Sequence, residues 1–177
     1  MKGIPLSFSV PSGGWYRFGD LYISKSTVGP QVADAIIFWT EVGRSRYAVA
    51  CGQWWGAPDG SVADWAAEAA RKRGTKLVKG PVDVMIGGYP AQHVVFTVRN
   101  DNVACNPGFF HTWKAKNKGP FWDGTRVGDT IRIWLVEVGG KVLFIEGDTH
   151  MGAGAHLRQE VQRIVESVVI DESDPTA

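Results

Sequence analysis

What the chain has little of narrows its class first. No apolar run approaches the ~20 residues that a helix needs to cross a bilayer, so direct membrane insertion is not expected. Charge of one sign is missing as well. Lys and Arg number 19 against 18 Asp and Glu, a formal charge of +1, and nothing in that balance points to nucleic acid, an anionic membrane or an acidic substrate. Cysteine is scarce: Cys51 and Cys105 have neither CxxC spacing nor a companion ligand cluster, which makes a metal site a poor reading. A GxSxG elbow and an HExxH helix are absent, and VGGK at 138–141 lacks the spacing and following helix of a phosphate loop. The opening MKGIPLSFSV has no long apolar stretch or small-residue cleavage site of a signal peptide, which fits either a cytosolic protein or a mature domain whose leader has been removed. No repeat, low-complexity tract or dividing linker breaks the 177 residues, so one domain over 1–170 with a polar tail at 171–177 is expected, with length enough for a substantial core.

What is present is aromatic and strand-like. The eight Trp are expected mostly as core, since burying an aromatic removes a large area from water. The chain is organised around Asp129–Thr149, DTIRIWLVEVGGKVLFIEGDT. Two apolar runs meet at Gly139-Gly140, a pair suited to the positive φ angles of a hairpin turn. With Val138 opposite Lys141, the pleat puts Arg132, Trp134, Val136, Leu143 and Ile145 on one face and Ile131, Ile133, Leu135, Val142 and Phe144 on the other. Both faces are apolar at mid-strand, so the hairpin is expected inside a sheet covered on both sides.

The rest of the chain supplies strands and two helices. Leu6–Val10, Leu21–Ser26, Ala35–Val42 and Tyr47–Cys51 read as strands, with Trp15–Phe18 lying between the first two, followed by Gln53-Trp54-Trp55-Gly56 leading into a loop. Ser61–Arg73 is a helix: Ser61 caps it, Asp64 favours its first turn, and Val62, Trp65, Ala66, Ala69 and Ala70 recur at helical spacing. Val82–Ile86 and Ala91–Arg99 form a hairpin about Gly87-Gly88, with His93 a hydrogen-bonded structural histidine. Phe109–Trp113 is a further strand between a loop at 100–108 and an exposed turn at 114–119. Ala155–Val168 is a second amphipathic helix whose buried stripe is Leu157, Val161, Ile164, Val165 and Val168, with Arg158 and Glu160 facing out or flanking it.

The order of these pieces resembles the PsbP-like α/β/α sandwich, and more closely the extracytoplasmic domains of actinobacterial secreted and membrane-anchored proteins, LpqN-type lipoproteins among them. The pieces that carry it are IGGYPA at 86–91, CNPGFF at 105–110 and GDTIRIWLVEV at 128–138, within a frame that runs from Gly14-Trp15 to the closing ESVVID. The resemblance implies an α+β fold with an antiparallel sheet and helices on both faces, a Cys51–Cys105 disulfide, and life outside the cytoplasm. It brings no catalytic motif. The residues alone leave the cysteines open between two buried thiols and a disulfide, which needs an oxidising compartment and would stabilise by about 4 kcal/mol in the chain-entropy view. The missing leader departs from the pattern and keeps a cytoplasmic alternative.

Two functional readings follow. The first is a non-catalytic recognition or sensor domain for a small molecule, glycan or protein, without cofactor or metal. Its ligand-binding residues would be Trp54, Trp55, His111, Trp113, Trp122 and Arg132, since a Cys51–Cys105 bridge would bring the Trp54-Trp55 loop near FFHTW. The second is a small-molecule enzyme using His111 or Asp148 with His150. Glu137, Glu146 and Asp148 read mainly as solvated acids near strand ends, and His150 with His156 and Asp148 is a weak metal set.

Overall fold

A computed structural model describes residues 4–19, 22–26, 34–42, 46–49, 53–56, 60–71, 74–99 and 126–171. In chain order the strands are β1 (Leu6–Ser7), β2 (Trp15–Phe18), β3 (Tyr22–Lys25), β4 (Ala35–Val42), β5 (Arg46–Val49) and β6 (Gln53–Gly56). Helix α1 (Val62–Ala70) precedes β7 (Thr75–Ile86), β8 (Tyr89–Val98), β9 (Thr130–Val138) and β10 (Lys141–Thr149). Helix α2 (Ala155–Glu166) and β11 (Val169–Ile170) close the described chain. Seven strands form one antiparallel sheet in the order β2-β3-β4-β10-β9-β8-β7.

The β9–β10 hairpin is the middle of this sheet, in the register its pattern predicts. Val138 pairs with Lys141, and Gly139 and Gly140 turn at φ 55° and 76°. Trp134, Val136, Leu143 and Ile145 pack with Leu157, Val161, Ile164 and Val165 of α2. Ile131, Ile133, Leu135 and Phe144 pack on the other face with Val62, Trp65, Ala66 and Ala69 of α1. Trp134 and Leu135, neighbours on opposite faces, are each 1% exposed. The molecule is thus an α/β/α sandwich with an antiparallel sheet, as the doubly apolar hairpin requires.

Each helix has a local cause. In α1, the Ser61 hydroxyl accepts from the Asp64 N–H (3.2 Å) while the Asp64 carboxylate accepts from the Ser61 N–H (2.8 Å), a reciprocal capping box. The helix stops at Ala70, short of the expected Arg73, where Arg71 leaves helical geometry and Gly74 at φ 84° turns the chain into β7. In α2 the apolar stripe at 157, 161, 164 and 165 lies along β10 and β4. At Gly147 the approach is close: an added Cβ would stand 2.6 Å from Val161 Cγ1 and 3.3 Å from the Trp134 ring.

Three expectations about elements are corrected. β7 starts at Thr75, not at Val82; among the described residues it is an edge strand, where Lys76, Lys79 and Pro81, which look like loop chemistry, are tolerated. Its ladder with β8 shifts register twice, between Leu77 and Lys79 and between Lys79 and Val82. Trp54 and Trp55, expected in a loop, lie on β6 opposite Ala48 and Tyr47 of β5, as β-favouring aromatics can. The opening strand pairs only over Leu6–Ser7, with Ile170 and Val169 of β11. The expected strand Phe109–Trp113 and its flanking loops lie outside the described residues.

Candidate functional site

Of the side chains expected to bind ligand, Arg132 is the one that can be followed to its contacts. His111, Trp113 and Trp122 lie outside the described residues, as do Cys51 and Cys105. Trp54 and Trp55 are placed by strand register alone.

Arg132 stands on the α2 face of β9, between Gly147 of β10 and Val95 of β8. It is half-buried, and its Nη1 donates to the hydroxyl of Thr149 at 3.2 Å, its one hydrogen-bond partner among the described residues. Among the described residues no carboxylate pairs with it. Burial, and then the guanidinium of Arg158 on α2, hold Arg132 below its ordinary pKa. A second arginine is therefore close enough to repel it. Arg158 is itself half-buried and donates to the carbonyl of Ala153. Lys79 reaches the same face from β7, opposite Val95.

His93 completes the cluster. Its strand position is opposite Trp134, and the rings stack in parallel, 2° apart with centroids at 4.7 Å. The sequence predicts a hydrogen bond for His93, yet its Nε2 is buried with no partner among the described residues, in a residue only 4% exposed. Burial lowers its pKa most, Lys79 and Arg132 lower it further, and the imidazole titrates at about 4. It is neutral at pH 7 and a weak general base. Among the described residues, Arg132, Arg158, Lys79, Thr149 and His93 thus bring cationic and neutral polar groups to one part of this face, with no carboxylate paired to the cations.

Three other polar groups depart from the sequence-based expectation. Glu160, expected to face out or flank the apolar stripe, is 4% exposed. Its Oε2 accepts from Trp15 Nε1 (3.0 Å) and Lys25 Nζ (2.8 Å), and its Oε1 lies 3.1 Å from Nδ1 of His156. Burial pushes this carboxyl up, but the bonds from Lys25 and Trp15 and the charges of Lys25 and His156 outweigh it and hold it below its ordinary value. The clamp fixes β2 and β3 to α2 and is structural. Glu146 and Asp148, read as solvated, are both buried on the α1 face of β10. Among the described residues the Asp148 oxygens have no hydrogen-bond partner, and His150 Nδ1 accepts instead from the Gly152 N–H (3.2 Å), so the Asp148–His150 pair of the enzyme reading is not joined. Among the described residues no cluster of three or more His, Cys, Asp or Glu could hold a metal, and no helix is long and apolar enough to cross a membrane.

Sequence pattern hinted at the cluster without naming it. Arg132 and His93 both interrupt apolar mid-strand runs on what proves to be one face, and Arg158 occupies the first turn of a helix that has no acid there.

No protein-family model matches the chain, and no curated protein matches it in sequence. Solved structures do. LpqN of Mycobacterium tuberculosis, involved in cell envelope biogenesis, overlaps 93% of this chain and 82% of its own at 12% identity, with a TM-score of 0.51. The two share a fold, the sandwich that the sequence resemblance implies. A Pseudomonas aeruginosa protein of unknown function aligns over 98% of this chain and 88% of its own at 16% identity, with a TM-score of 0.47. Cyanobacterial PsbP from Synechocystis sp. PCC 6803 aligns over 94% and 92% at 8% identity, with a TM-score of 0.43. These last two overlaps are too loose to argue from.

Proposed function

We propose that this chain is a non-catalytic recognition domain of the cell envelope, working outside the cytoplasm and binding its ligand through the α2 face at Arg132. The observation that carries the reading is a half-buried guanidinium that has, among the described residues, one hydroxyl as partner and no acid. A buried cation without a counter-charge is costly, and a ligand that supplied the charge would offset that cost. The likeness of fold to an envelope protein supports the location. Trp54, Trp55, His111, Trp113 and Trp122 remain the proposed aromatic contacts, for a sugar ring, a peptide or another apolar partner. The enzyme reading loses support at Asp148 and His150, which do not meet.

Thermal-shift and intrinsic-fluorescence screening against envelope glycans, peptides and metabolites tests the reading. A hit should be weakened roughly tenfold or more by Arg132→Ala, the usual scale for losing a charged hydrogen bond. A hit untouched by Arg132→Ala but lost in the Trp54→Ala/Trp55→Ala double variant would move the contact to β6.

A further inference from the structure

We propose that Arg132, Arg158 and Lys79, with the hydroxyl of Thr149 and the imidazole of His93, form a binding site for a phosphate group. The proposal rests on the recognition reading above, and adds the chemistry of what is recognised.

Three cations from three elements, β7, β9 and α2, serve one face, and none of them forms an ion pair among the described residues. That is unusual for side chains so close: Arg158 acts on Arg132, and Arg132 and Lys79 both act on His93. Like charges gathered without an acid raise the free energy of the empty fold, and an anion reverses the sign of that contribution. The start of α2 adds to the same field. Its N-cap is Gly154, which makes no side-chain cap, and its first turn holds Arg158 and no acid. A cation beside the positive end of a helix is unfavourable by itself and favourable once an anion lies between them.

His93 is the independent sign of a ligand. Its Nε2 is a buried polar atom with no partner, on the face and within the field of these cations. Buried polar atoms are nearly always satisfied, and one left open costs the full desolvation of the group. An oxyanion oxygen would satisfy it if the nitrogen carries hydrogen. The donors come from different directions: a strand edge, a mid-sheet guanidinium, a helix turn and a hydroxyl at a strand end. A planar carboxylate is met by one guanidinium fork, whereas a tetrahedral dianion uses donors on several sides and balances more than one cation. Lys79 is exposed and Arg132 and Arg158 are half-exposed, so all three cations remain in reach of solvent.

The test uses the whole chain. Calorimetric titration with inorganic phosphate at constant ionic strength should give saturable binding, with chloride and acetate giving little. Arg132→Ala and Arg158→Ala should each weaken phosphate roughly tenfold or more, and Arg132→Lys should restore part of the loss. In the unaltered protein, phosphate should raise the pKa of His93 read from its ring C–H resonances, an effect that a purely structural histidine would not show. Glycerol phosphate and vesicles of phosphatidylglycerol, against phosphatidylcholine, separate a soluble ester from a lipid headgroup. No saturable phosphate binding beyond that of chloride, or binding indifferent to both arginine variants, overturns the phosphate site. A neutral ligand that binds through Arg132 while phosphate does not would leave the recognition reading standing and remove only this one.

Discussion

His93 and Glu160 mark what a single residue's pattern does and does not reveal. Buried against Trp134 and facing Lys79 and Arg132, His93 refuses a proton down to about pH 4, whereas the unfolded chain accepts one near 6.5. Its folded-state pKa is depressed, so its contribution to stability is whole above pH 6.5 and is lost as pH falls through the window to about 4. The loss should amount to roughly 2–3 kcal/mol. Urea titrations at pH 7 and pH 4, in buffer free of phosphate, should show His93→Asn less sensitive to this pH change by that amount; equal sensitivity would mean the imidazole is not buried neutral. From the sequence, His93 could be recognised as structural, because it sits in an apolar run. Its missing hydrogen bond could not, since that depends on what β7 and β9 bring alongside. Glu160 was misread for another reason. It lies three residues after Leu157 and four before Ile164, inside the stripe, and a lone acid there is buried only because Trp15 and Lys25 arrive from 135 or more residues away.

Among elements, the hairpin was the easiest to read and the edges the hardest. Apolar residues at both parities of β9 and β10 leave no register that exposes either face, so Gly139-Gly140 and the pattern together define the centre of the sheet. β7 has no such pressure, and only its Val82–Ile86 part is marked as strand by the pattern. Gly147 is the point at which α2 meets this hairpin. Any side chain there meets Val161 and Trp134, neither of which can withdraw from a packed core. Gly147→Val should cost about 2–3 kcal/mol, more than Gly147→Ala, measured as the shift in the midpoint of chemical denaturation at unchanged slope. An unchanged midpoint for the valine variant would mean that α2 rides further from the sheet than described.

For the molecule as a whole, the sandwich followed from covering both faces of one hairpin, whereas the expected aromatic site depended on contacts between distant segments. Period and turn chemistry carry the first kind of information, and only the second kind needs Cys51 and Cys105. Their pairing is a proposal, motivated by two cysteines in turn contexts and by the envelope reading. Thiol titration of protein purified without reductant, under denaturing conditions, should find no free thiol. Two free thiols would count against the disulfide and the extracytoplasmic location together.

Leu6 pairs with Ile170 and Ser7 with Val169, so the two ends of the described fold leave it side by side and in the same direction. A load applied between them would meet these pairs one after another, as a zipper does, and would not shear them at once. Under such a load the small β1–β11 ribbon can open before any strand of the seven-stranded sheet is pulled. A tether to a surface or to another domain, attached near either end, would leave the Arg132 face untouched while that ribbon yields.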